Sequence, residues 1–69
     1  MSIMTDRNGK VIHEGELIKI VDMLDVYDTV NFWTIFDCIK YGTFTDFILK
    51  HCVTNEIRIV SQKNIERTY

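Results

Sequence analysis

VNFWTIFDCIKY, residues 30–41, is the segment on which the fold of this 69-residue chain turns. Read with a period of two, it places Val30, Phe32, Thr34, Phe36 and Cys38 on one face. Trp33, Ile35, Ile39 and Tyr41 then occupy the other. Read with a helical period, Thr29 caps it, Phe32, Ile35, Phe36 and Ile39 form a stripe, and Gly42 ends it. The β-branched and aromatic content favours the strand.

On the N-terminal side, residues 23–29 lack any strand period and read as a loop with room for one helical turn. Residues 16–22 read as a strand whose Leu17, Ile18, Ile20 and Val21 are apolar on both faces, as a small closed barrel requires. Asn8-Gly9 is the preferred pair of a type I′ hairpin turn, with arms at 3–7 and 10–13, and Gly15 lets the chain bend. On the C-terminal side, Phe44, Phe47, Ile48 and Cys52 stand at helical spacing behind Thr43 and Asp46, so a short helix is expected over 43–52. Asn55 marks a turn. Residues 56–60 alternate as a strand, with Ile57 and Ile59 expected inward and Arg58 outward. The tail, 61–69, is polar and anchored by Ile65. The order is hairpin, strand, loop, long strand, short helix, strand, tail. It predicts a single mainly β domain over 1–69, a small SH3-like antiparallel barrel or curved sheet with one short helix.

Composition narrows the function. Apolar residues make up 46% of the chain, which excludes a disordered segment. A net charge of −2 leaves no basic excess to grip a phosphate backbone, and is too slight for a whole-surface nucleic-acid mimic. The start, Met1-Ser2-Ile3-Met4, has no leader pattern, and no apolar run nears the roughly 20 residues of a membrane span. Two cysteines, Cys38 and Cys52, are too few for a disulfide scaffold. A reducing cytoplasm with both thiols free is the expected setting, with no membrane partner.

The residues that carry chemistry are scattered. His13 and Glu14, beside Glu16, point to opposite faces of an extended chain, which disfavours an acid/base pair. His13, Cys38, His51 and Cys52 are zinc-competent, but none of the local pairs that define a zinc site is present. Cys38 lacks a base to activate it. No enzyme and no cofactor or metal is therefore expected. The aromatics are denser: Phe32, Trp33, Phe36, Tyr41, Phe44 and Phe47 crowd one region, and a domain this small cannot enclose them all. Trp33 and Tyr41, with Phe44, are expected to be partly exposed as an anchor for a protein partner. Asp22, Asp25 and Asp28, in the loop before them, would set charge complementarity.

The opening DRNGKVIHEGELIKI resembles the N-terminal signature of the YopX family of small phage and prophage proteins, Asp-x-Asn-Gly-Lys-x-Ile-x-Glu-Gly-Asp-Ile-Val. Asp6, Asn8, Gly9, Lys10, Ile12, Glu14 and Gly15 match as they stand. Glu16 replaces Asp, Leu17-Ile18 replaces Ile-Val, and His13 stands where the family often has Tyr. EIRIVSQKNIERTY is similar to the family's closing motif at Glu56, Ile59, Asn64, Ile65 and Glu66, with extra residues at 61–63. The resemblance implies a mainly β fold and a phage origin, and it carries no catalytic residues across. The expected function is a phage-encoded interaction protein that binds and modulates, or inhibits, a host or phage protein by occlusion in the host bacterial cytoplasm. The alternative is a small nucleic-acid-binding β-barrel using Lys10, Lys19, Lys40 and Arg58. A homo-oligomer whose aromatic patch is its own interface is the third reading.

Overall fold

A computed structural model describes residues 3–68. Met1 and Ser2, part of the start expected to carry no leader pattern, and Tyr69, the end of the tail, lie outside them. The chain is mainly β. A small hairpin comes first, β1 (Met4–Thr5) and β2 (Val11–Ile12). β3 (Leu17–Ile20) follows, then one short helix, α1 (Val26–Val30), within the loop expected to hold a helical turn. β4 (Phe32–Tyr41), β5 (Phe44–His51) and β6 (Ile57–Ser61) form a meander. A single 3-10 turn, Gln62–Asn64, then returns the chain to β7 (Ile65–Arg67), which pairs with β3. The resulting order, β6-β5-β4-β3-β7, is antiparallel throughout and SH3-like. The sheet is strongly curved and not closed, because β6 and β7 do not pair among the described residues.

The core lies on the concave face. Ile18 and Ile20 of β3, Trp33 and Ile35 of β4, Phe47 and Leu49 of β5, Val60 of β6 and Ile65 of β7 are all buried there. Ile12 of the hairpin joins them, with Met4 and Cys38 packed against the cluster. Each strand contributes alternate residues, as one buried face demands. The anchoring role expected of Ile65 is met: it is fully buried.

Three sequence expectations change. Residues 43–52 form no helix. Gly42-Thr43 is a two-residue hairpin turn, with Gly42 at φ 60 and Tyr41 opposite Phe44, and β5 sends Phe47, Leu49 and His51 inward at a period of two. Gly at the first central position with φ > 0 and no positive φ at the second is the type II′ pattern. β6 is inverted: Arg58 and Val60 face inward, and Ile57 and Ile59 face solvent. Alternation fixes a period but not which phase points to the core. Finally, the Asn8-Gly9 turn is not type I′, since only Gly9 takes positive φ. The bond from Gly9 N to Asp6 O (3.1 Å) closes a tight turn ending in an αL glycine, the three-residue hairpin loop with a bulge.

The hairpin is tied across the end of the sheet. Asp6 is buried, and its Oδ1 accepts from the N–H groups of Asn8 and Lys10, both at 2.9 Å. Its Oδ2 accepts from Arg67 N at 3.0 Å. Gln62 Nε2 donates to the Thr5 carbonyl at 2.9 Å. The His13-Glu14-Gly15-Glu16 run is a turn, closed by Glu16 N to His13 O at 3.0 Å, with Gly15 at φ 85.

Candidate functional site

Phe36 decides where the aromatics go. The β4–β5 register shifts between Ile35 and Asp37, so Phe36 is an extra residue that reverses the phase of the strand. Before it, Trp33 and Ile35 face the core. After it, Cys38 faces inward, and Asp37, Ile39 and Tyr41 face out. Trp33 is therefore not a partner anchor: it is 0% exposed and donates from Nε1 to the Asp28 carbonyl at 2.9 Å. Tyr41 and Phe44 are exposed, as expected, and adjacent, with ring centroids 6.2 Å apart.

The acidic loop does not act as a unit. Asp22, at φ 58, pairs with Arg7. Asp25 caps α1, accepting from Tyr27 N at 2.9 Å and Asp28 N at 3.4 Å. Asp28 is buried, with Oδ1 3.0 Å from Arg58 Nε. What the loop shows to solvent is apolar instead: Leu24 is fully exposed, and Met23, Val26 and Val30 are exposed too. It also lies beside Trp33, at the opposite end of β4 from Tyr41, roughly 25 Å away at ~3.3 Å per residue. The loop and the aromatic tip are separate surfaces.

Arg58 points inward because everything it needs is there. Its guanidinium lies over Trp33 at 5.2 Å and over Tyr27 at 6.0 Å. The hydrogen bond to Asp28 raises its pKa. Tyr27 donates its hydroxyl to Glu56 at 2.6 Å, which raises the phenol and lowers the carboxyl. His51 stacks on Tyr27 and stands edge-on to Trp33. Its Nδ1 accepts from Val53 N and Thr54 N, both at 3.1 Å, so the Nε2–H tautomer is assigned, with Nε2 3.1 Å from Asn31 Oδ1. These hydrogen bonds and ring contacts tie α1, β4, β5 and β6 together.

The convex face of the sheet is different. An antiparallel sheet packed on one side normally shows polar residues on the other. Here Phe36, Ile39, Tyr41, Phe44, Ile57 and Ile59 are all exposed on it, and Ile48, between Asp37 and Ile59, is half-buried. Three charged residues, Asp37, Asp46 and Lys50, stand among them. Lys50 Nζ sits 5.5 Å from the Phe36 ring centre, and Tyr41 donates to Asp46 Oδ2 at 2.5 Å. That bond raises the Tyr41 pKa, so the phenol stays neutral there. This face can dock an apolar surface. Sequence reading found Tyr41 and Phe44 but missed Phe36, Ile57 and Ile59. Crowding pointed to the aromatic pair, and Gly42-Thr43 between two aromatic runs, a hairpin pattern, is the signal that would have placed the pair at a strand turn.

The remaining candidates do not converge. His13 and Glu14 border a shallow cleft of about 450 Å³ with Cys38 and apolar side chains of the hairpin. Cys52 is exposed and Cys38 half-buried, unbridged. Among the described residues no three His, Cys, Asp or Glu side chains gather to hold a metal ion. The basic residues are dispersed as well. Lys19 lies 3.9 Å from Glu66, Lys40 reaches the Ile3 carbonyl at 3.4 Å, Lys10 is exposed on the hairpin, and Arg58 is turned inward. No described helix is long and apolar enough to cross a membrane. No family model matches the chain, and no curated protein or solved structure is found similar to it.

Proposed function

We propose that this chain is a non-enzymatic, phage-encoded interaction protein that binds a host or phage protein and modulates it by occlusion in the bacterial cytoplasm. The observation that carries the reading is the convex sheet face, where Tyr41, Phe44, Phe36 and Ile39 stand exposed on the β4–β5 hairpin. A clustered apolar patch on a small domain is costly to leave in water and characteristic of interfaces. Aromatic anchors on paired strands also lose little freedom on docking. The phage origin is supported by the opening Asp6 to Ile18 signature, whose residues build the hairpin turn, the bend and the start of β3. The docking surface proposed is the tip, with Tyr41 and Phe44 at its centre.

The test is capture from bacterial lysate, with and without nuclease, by tagged wild type and by a Tyr41→Ser/Phe44→Ser double variant, with mass spectrometry. Both residues are exposed, so the variant should keep the wild-type circular dichroism. A defined protein retained by wild type and weakened at least about tenfold in the variant, ~1.4 kcal/mol, is expected. Equal capture by both would sink the tip as the docking surface. Capture that depends on nucleic acid would sink the protein-partner reading.

A further inference from the structure

The sheet has two outer edges, and the chain treats them differently. On β7, Ile65 and Arg67 turn their backbone groups away from β3, and the hairpin turn covers them. Arg7 N donates to Ile65 O at 2.8 Å, and Arg67 N donates to Asp6 Oδ2 at 3.0 Å. On β6 no such cover exists among the described residues. The bond from His51 N to Glu56 O (2.8 Å) sets the phase of the β5–β6 ladder, so Arg58 and Val60 turn their N–H and C=O toward β5. Ile57, Ile59 and Ser61 turn theirs outward. Among the described residues, the backbone groups of Ile59 meet no protein partner. The Ile57 carbonyl takes one bond, from Arg58 Nη1 at 3.0 Å, and keeps a second lone pair. Natural edges are usually blunted by charge, proline, a bulge or a covering segment. The outer side chains here are Ile57 and Ile59, 47% and 62% exposed.

We propose that β6 is a homodimer edge, on which a second copy of this chain pairs antiparallel about a two-fold axis through Ile59. The sequence of the strand selects this register. Pairing centred on Arg58 would set two guanidinium groups opposite one another. Pairing centred on Ile59 sets Arg58 opposite Val60 and Ile57 opposite Ser61 of the second copy. It also puts Ile59 against itself in a hydrogen-bonded pair that exchanges both N–H···O bonds. A two-fold interface requires such a self-complementary strip, which an unrelated extended peptide would match only by its own sequence. The axis stands normal to the sheet, so the two convex faces lie side by side, and the Ile57, Ile59 and Ile48 strip runs unbroken across the join. Both aromatic tips then face the same way, an arrangement suited to a bivalent partner. The dimer does not depend on what the tips bind.

The experiment is light scattering over a concentration series on wild type, Ile59→Lys and Tyr41→Ser/Phe44→Ser, with circular dichroism as the fold control. In parallel, Ile59→Cys and Ile57→Cys are oxidised in a Cys52→Ser background. Wild type and the aromatic variant are expected to dimerise with rising concentration, and Ile59→Lys to need about tenfold more protein. Ile59→Cys should bridge its own copy, because paired Cα atoms about 5.5 Å apart suit a disulfide. Ile57→Cys, facing Ser61, should not. A wild type that stays monomeric to roughly 1 mM overturns the proposal, as does a dimer that survives Ile59→Lys in a folded protein. Equal bridging at both positions overturns the register. If Ile59→Lys does not fold, the cysteine pair decides. Loss of the partner but not the dimer in the aromatic variant separates this inference from the proposed function.

Discussion

Asp6 does more for the fold than its place in an exposed turn suggests. Burial pushes its carboxyl up, but the N–H groups of Arg67, Lys10 and Asn8 outweigh that and hold it below its ordinary 3.8. A depressed carboxyl adds stability that is complete above the unfolded value and is lost as pH falls through the folded one. Asp6→Asn is therefore expected to cost about 1–2 kcal/mol near neutrality, as charged hydrogen bonds become neutral. Urea melts should show that gap steady down to about pH 5 and narrowing below it. Trp33 offers a second test at this scale. It is the one tryptophan of the chain and fully buried, so its emission should be blue-shifted and resist quenching by iodide. Trp33→Phe is expected to cost roughly 1–3 kcal/mol, through lost volume and an unpaired Asp28 carbonyl. Trp33 also marks where residue-level reading stops. Its placement beside Tyr41 followed from unbroken alternation, and the Phe36 bulge leaves no trace in composition.

The elements explain which parts of the fold were legible. β3 and the helical turn expected within residues 23–29 were readable because their apolar period, or its lack, had a single good solution, whereas β4, which fits a helical stripe as well, was legible as a strand only through its β-branched and aromatic content. β5 was not. Phe44, Phe47 and Ile48 fit a helical stripe, whereas the row that packs, Phe47, Leu49 and His51, includes a histidine that only its bonds to Val53, Thr54 and Asn31 make burial-tolerant. β6 was read with the right period and the wrong sign, because an arginine facing a core looks wrong until Asp28, Glu56 and two rings receive it. The candidate face inherited both errors: its aromatic tip was visible in the sequence, and its isoleucine half was not. The β4–β5 turn gives the element-scale prediction. A Cβ at Gly42 would meet nothing within 4 Å, so Gly42→Ala isolates the cost of φ 60. Chemical denaturation should show a loss of roughly 1–2 kcal/mol.

At the scale of the whole molecule, nine buried apolar side chains form the core, and of the strand pairings only β3–β7 joins segments far apart along the chain. Hydrogen exchange gives the global test of the edge assignment. At high dilution, Arg58 and Val60 amides are expected to be protected and Ile59 to exchange faster by a factor of at least about ten. Ile59 joining the slow set at low concentration would mean that the β6 phase is wrong. The bond between Asp6 and Arg67 has a different kind of consequence. It brings segments from opposite ends of the described chain to within 3.0 Å, where β7 lies between β3 and the hairpin turn. A short peptide bridge from after Thr68 to before Met4, with new termini opened in the exposed stretch at Met23 and Leu24, would thus leave every strand register in place. The chain is in this sense a ring cut at one point, and the order in which its strands occur along it is only one of the orders the fold can accept.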